Sequence, residues 1–164
     1  MKKYILPIIL LFASLLAGAQ GSENLSSGFK FSIGVGGKYM TDSRALDVSP
    51  ELGFHYRAND KNMFGAGLAI DCIYKRENLF LSFTHDFLSK PASPYVEARL
   101  GANNFFEKSI GGYLSVQGGY RFSLGGIIPF RIGLTADIYQ VESVRVESGR
   151  ACIIAVGLVL RSEF

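Results

Sequence analysis

The chain closes on AVGLVLRSEF, residues Ala155 to Phe164. Ile154, Val156, Leu158, Leu160 and Phe164 fall on one parity; Arg161 and Glu163 fall on the other. Chain ends make few contacts and are normally frayed and polar. A large aromatic on the last residue, in register with an apolar strand face, implies an end that is held in place. Alternation of this kind marks a strand with one apolar and one polar face.

The same period runs through the rest of the chain. In FKFSIGVGGKY, Phe29, Phe31, Ile33, Val35 and Tyr39 alternate with Lys30, Ser32, Gly34, Gly36 and Lys38. Six further runs follow, over about 47–57, 63–74, 78–88, 94–103, 110–122 and 128–141, before the last strand near Arg150. Their polar parity carries Glu51, Arg57, Asp71, Asp86, Glu97, Arg99, Arg121, Arg131 and Asp137. Between them lie short breakers such as TDSRA, ANDKN and SKPASP, made of turn-forming residues. Sequential strands with short connections form an antiparallel meander. Pro50 interrupts the second run, where a bulge or a later strand start is expected because proline cannot donate to a ladder.

Eight such strands suit a closed barrel, which has no exposed edge. Periodicity alone does not say which face points inward. A soluble barrel would bury the apolar face; a transmembrane barrel would turn it to lipid. Two features favour the membrane. The polar parity is rich in glycine, which weakens a water-facing strand but makes room in a narrow lumen. Its charges also come in both signs. Lys30, Arg57, Arg99, Arg121, Arg131 and Arg161 can answer Glu51, Asp71, Asp86, Glu97, Asp137 and Glu163 in a buried network. Arg99, Arg121 and Arg131 are expected to pair, in a combination the sequence does not assign, with Glu97, Asp71 and Asp137. Eight strands leave a bore that side chains fill, so no open pore is expected.

The other terminus, MKKYILPIILLFASLLAGAQ, has a basic start, an apolar run and the small residues Ala17-Gly18-Ala19. That is the layout of a secretory signal peptide, cleaved between Ala19 and Gln20. Residues 1–19 are therefore read as the leader and 20–164 as one barrel domain. Without Lys2 and Lys3, the 17 basic residues fall to 15, against 14 acidic ones. So balanced a charge, without clusters, gives no reason to expect nucleic-acid binding.

A leader, eight alternating strands and a terminal Phe164 resemble small bacterial outer-membrane barrels of the OmpA/OmpX type. The resemblance implies an all-β, eight-stranded antiparallel up-and-down transmembrane barrel in the outer membrane. It also implies that the barrel-assembly machinery reads Leu158, Leu160 and Phe164 as a signal, in a series that Ser162 interrupts. The absence of Trp departs from the family's usual girdles; Tyr and Phe would serve instead.

Little points to chemistry. The glycine pairs lack the strand–loop–helix setting of a phosphate loop. His55 and His85 fall on opposite parities and share no metal site; His55 is expected in the lumen and His85 at the bilayer interface. Cys72 and Cys152 lie on non-neighbouring strands and are read as separate thiols. No cofactor is implied. The expected partners are outer-membrane lipids and the assembly machinery, with the barrel a monomer. The connections near 40–46, 75–78, 104–109 and 142–149 would face outward, with Phe105 and Phe106 exposed or interfacial. The favoured role is structural or surface-interacting. Some barrels of this size modify acyl chains of lipid A, which makes a lipid-modifying enzyme the alternative; His85 beside Asp86 is its nearest candidate, although adjacent strand residues point to opposite faces. A soluble lipocalin-like barrel for an apolar ligand is the third reading.

Overall fold

The computed structural model describes residues 27–104, 110–124, 128–142 and 150–164. The expected leader, Phe105 and Phe106, and most of the 142–149 connection lie outside them. Eight strands follow in order: β1 Gly28–Met40, β2 Ala45–Arg57, β3 Asn62–Asp71, β4 Arg76–Asp86, β5 Ser93–Asn103, β6 Gly111–Leu124, β7 Ile128–Glu142 and β8 Arg150–Glu163. Each pairs antiparallel with the next, and β8 pairs with β1 to close the barrel. We call the end where β1 begins and β8 ends the near end and the opposite end the far end.

The last residue is part of the closure. The Phe164 amide donates to the Phe31 carbonyl at 2.7 Å, and the Phe31 amide donates back to Phe164 at 2.9 Å. Ser162, which breaks the apolar series, donates its hydroxyl to the Pro129 carbonyl at 3.2 Å. A polar group on the outward parity is thereby satisfied within the protein.

Pro50 produces neither a bulge nor a late start. Gly34↔Glu51, Val35↔Pro50 and Gly36↔Ser49 run on without a slip. The missing donor is reflected on the other side, where the β2–β3 ladder stops at Glu51↔Ala69. Strand β3 also ends at Asp71, earlier than the alternation suggests. Cys72 therefore lies in the turn that follows β3 rather than within the strand.

The polarity is inside out relative to a soluble domain. Leu81 and Leu134 on the outer face are 69% and 67% exposed, whereas Glu97 and Arg131 are 0% exposed. Outward aromatics gather in the near half. Phe29 packs on Tyr56 at 5.2 Å, Phe31 on Phe54 at 5.1 Å, Phe64 on Phe83 at 5.0 Å and Phe122 on Phe130 at 6.1 Å. These are tilted or stacked cross-strand pairs, the unit of sheet stabilisation. The far half is mainly aliphatic, with Leu46, Ile70, Leu79, Leu114, Ile138 and Ile154 exposed.

Candidate functional site

The inward parity builds an ionic lumen. Among the described residues, seven basic side chains (Lys38, Arg57, Arg76, Arg99, Arg121, Arg131 and Arg161) are buried. So are seven acidic ones: Asp47, Glu51, Asp71, Asp86, Glu97, Asp137 and Glu163. The balance matters because an unpaired buried charge is costly.

Strand ends at the near end form the first cluster. Asp86 on β4 meets Arg57 at 3.1 Å, Arg121 at 2.8 Å and Arg131 at 2.9 Å. Glu163 on β8 takes the Arg131 Nε and lies 3.7 Å from Arg57. Two of these arginines also hold turns. Arg121 donates to the Lys90 carbonyl at 2.5 Å, and Arg57 donates to the Asp60 carbonyl at 3.2 Å.

A four-membered ring of charges spans the middle. Arg99 on β5 donates to Glu51 on β2 at 2.7 Å and to its strand-mate Glu97 at 2.6 Å. Arg161 on β8 donates to Glu51 at 2.7 Å and, with both Nη atoms, to Glu97 at 2.7 and 3.0 Å. Arg161 and Glu97 come from opposite walls, so these chains cross the bore. Gly34 makes the reach possible. It stands between Arg161 and Glu51 in the register, and a Cβ there would come within 2.8 Å of the Glu51 side chain. Fork-like, charge-assisted bonds of this kind are the strong ones.

Toward the far end, Lys38 on β1 bridges Asp137 at 2.7 Å and Asp71 at 3.4 Å and donates to the Tyr139 hydroxyl at 3.0 Å. Asp71 also accepts from Ser49, and from Asn78 at 3.1 Å. The expected pairing of Arg121 and Arg131 with Asp71 and Asp137 does not occur. Arg131 and Asp137 sit six residues apart on one strand, about 20 Å at the rise of a strand. The two arginines lie at the near end and the two aspartates toward the far end. Lys38 takes the place in the network expected for Lys30, which is partly exposed at the near mouth.

Large inward side chains were also missed in the alternation. Phe80, Tyr95, Tyr113 and Tyr139 are at most 3% exposed and lie on the polar parity. For Phe80, Tyr95 and Tyr113 the signal is the glycine beside them in the register. A Cβ on Gly133 would stand 2.6 Å from the Tyr95 hydroxyl, and one on Gly67 would stand 2.6 Å from Phe80. The rings then serve the cations: Arg99 lies 4.3 Å from the Phe80 ring centre and Arg131 4.7 Å from that of Tyr95.

His55 is buried in the lumen, 2.8 Å from the Ser32 hydroxyl. His85 faces outward, 2.8 Å from Asn62 Oδ1 and edge-on to Phe87. Cys72 and Cys152 are separate exposed thiols. Among the described residues, no group of three or more His, Cys, Asp or Glu side chains is placed to hold a metal. The carboxylates of the ring are engaged by guanidinium groups on several sides. That arrangement ties the walls of the barrel together.

No family model matches the sequence, and no curated protein matches it. Solved structures do match. Neisserial surface protein A is 19% identical, with 84% of this chain and 96% of that one covered and a TM-score of 0.61. The N-terminal β-barrel domain of Pseudomonas aeruginosa OprF is 14% identical, with 83% and 99% covered and a TM-score of 0.47. A de novo designed transmembrane β-barrel is 17% identical, with 80% and 94% covered and a TM-score of 0.44. At such identities the likeness is one of fold: the chain is an eight-stranded closed antiparallel barrel of the kind found in small bacterial outer-membrane proteins.

Proposed function

We propose that this chain is an integral outer-membrane barrel with a closed lumen and a structural or surface-interaction role. One observation carries the reading: the apolar face is outside and a charge-balanced ionic network is inside. In water that arrangement would leave a wide apolar surface exposed, whereas a bilayer covers it. The near end then faces the periplasm and the far end the cell surface, with the near aromatic belt at the inner interface. In this reading residues 1–19 direct export, and the barrel works as a monomer among outer-membrane lipids. The assembly machinery reads Leu158, Leu160 and Phe164. Side chains spanning the bore argue against diffusion through it. The Ser32–His55 contact lies inside the lumen, out of reach of a lipid ester.

The test is fractionation. The mature protein should stay with membranes through alkaline carbonate and run faster on gels unheated than boiled. Recovery in the soluble periplasmic fraction would overturn the reading.

A further inference from the structure

Charges at the mouth of a barrel ordinarily reach water, but those at the near mouth do not. Arg57, Asp86 and Glu163 are the last residues of β2, β4 and β8, yet none is more than 3% exposed. The two connections described at this end, 58–61 and 87–92, are held in different ways. Residues 58–61 secure themselves: the Ala58 amide donates to the Asn62 carbonyl at 3.0 Å, and Asn59 Oδ1 accepts from the amides of Lys61 at 3.0 Å and Asn62 at 2.9 Å. The bond from Arg57 to the Asp60 carbonyl is one among several there. The longer connection, residues 87–92, is exposed throughout. Its base is closed by the Phe87 amide on the Pro94 carbonyl at 3.0 Å and the Leu88 amide on the Ser93 hydroxyl at 2.9 Å. Among the described residues, its tip, Ser89 to Ala92, has one hydrogen bond, from Arg121 Nη2 to the Lys90 carbonyl at 2.5 Å. Nη1 of the same guanidinium meets Asp86 at 2.8 Å. The tip therefore stands one guanidinium's width from the buried cluster.

Arg121 is also the least securely held arginine of that cluster. Arg131 takes both Asp86 oxygens and Glu163, and Arg57 is shared between Asp86 and Glu163. Among the described residues, Arg121 meets one carboxylate, Asp86, and its Nε has no partner. It also stands directly opposite Arg131 in the β6–β7 ladder, and like charges placed so destabilise a sheet. We propose that residues 87–92 are a lid over the near mouth and that Arg121 is its latch. When the Arg121–Lys90 contact breaks, water reaches Asp86 and Glu163, while the ring of Arg99, Arg161, Glu51 and Glu97 stays closed. The lid is a property of the barrel whatever surrounds it; on the membrane reading it opens toward the periplasm.

The test is carboxylate footprinting of the full mature chain refolded in detergent, with a water-soluble carbodiimide and glycine ethyl ester, read by peptide mass spectrometry. In the wild type, Asp86 and Glu163 should label slowly. Arg121→Gln should label both about tenfold faster, since a hydrogen bond from a charged donor favours the closed form by about that factor, with Glu51 and Glu97 unchanged. Deleting Lys90 and Pro91 shortens the lid at an exposed tip, where changes are tolerated, and leaves the Arg121–Asp86 pair in place. It should give the same fast labelling of Asp86 and Glu163, which loss of the ion pair alone does not explain. Unheated gel mobility checks that each variant forms a closed barrel. Equal labelling of Asp86 in the wild type and the shortened variant would overturn the lid, and equal labelling in the wild type and Arg121→Gln would overturn the latch. Faster labelling of Glu51 and Glu97 as well would make Arg121 a brace of the whole lumen and overturn both. Fractionation decides the membrane reading and footprinting decides the lid, so each can fail without the other.

Discussion

At the near end, Asp86 alone meets three arginines; toward the far end, Arg76 is held by aromatic rings. Its guanidinium lies 4.5 Å from the Tyr139 ring centre and 5.8 Å from that of Tyr74. The contrast extends to the groups around them. Among the described residues, Arg76 Nη1, Glu77 Oε2, Asn78 Oδ1, Asn103 Oδ1 and the Tyr113 hydroxyl are buried at the far end without a hydrogen-bond partner in the protein, against Arg121 Nε, His55 Nδ1 and the Tyr95 hydroxyl in the near half. Each unsatisfied buried group costs about 1–3 kcal/mol. The near and middle lumen ties walls together through guanidinium and carboxylate, and the far mouth fills its space with rings and amides. Among the described residues, the guanidinium–carboxylate bracing is thus denser in the near and middle lumen than at the far mouth.

The sharpest way to break this comparison is Asp86→Asn. It leaves Arg57, Arg121 and Arg131 with Glu163 as their remaining carboxylate in that cluster. Removing one partner from a buried pair costs about 3–5 kcal/mol, and the urea midpoint in vesicles should drop accordingly. Asp71→Asn should cost clearly less, because Lys38 keeps Asp137. Equal losses would erase the distinction between the two ends.

Arg161→Gln should cost nearly as much, about 3 kcal/mol, because Glu51 and Glu97 are then left to share Arg99. Combined with Glu51→Gln, the two losses should fail to add, by about 0.5–3 kcal/mol. Strict additivity in the same unfolding assay would mean that the four charges do not act as a ring.

Deleting Phe164 removes one interfacial ring and two closing hydrogen bonds. Burial of a Phe is worth about 1.5–3 kcal/mol, so the deletion should lower the midpoint in vesicles moderately. The loss of insertion in cells should be larger, as measured by surface labelling of the exported protein. Normal insertion in cells would leave Phe164 with an interfacial role only.

The smallest effect belongs to the far end. Arg76→Gln removes a cation held over rings and should cost about 0.5–2 kcal/mol. A loss as large as that of Asp86→Asn would show that the far mouth is braced as firmly as the near one.

Strand count, strand parity and the outward set were legible because a period of two survives in nearly every run. The membership of the lumen was legible from the same parity, since Glu51, Arg57, Asp71, Asp86, Glu97, Arg99, Arg121, Arg131, Asp137 and Arg161 all lie on the inward face. Their pairing was not. Which charge meets which depends on height in the barrel, and height follows from how far each ladder is staggered against the next, which alternation does not encode. Arg131 and Asp137 look like neighbours in sequence and end on different levels. The inward rings were hidden for a related reason: Phe80, Tyr95 and Tyr113 read as breaks in a polar row until the opposing glycines are placed beside them, and Tyr139 until Tyr113 is placed beside it.

The junction of β8 with β1 has a kinetic consequence. It joins Ser32 to Glu163, residues from opposite ends of the chain, through nine register pairs, against thirteen in β1–β2. Contacts so distant in sequence carry a large loop-closure cost and form slowly. Every other ladder can zip from a local hairpin, but this one must wait for the last strand. Until then β1 and β8 are open edges able to recruit other chains. The interval between synthesis and closure is therefore the vulnerable period of this protein, and its length is set by the arrival of the final ten residues.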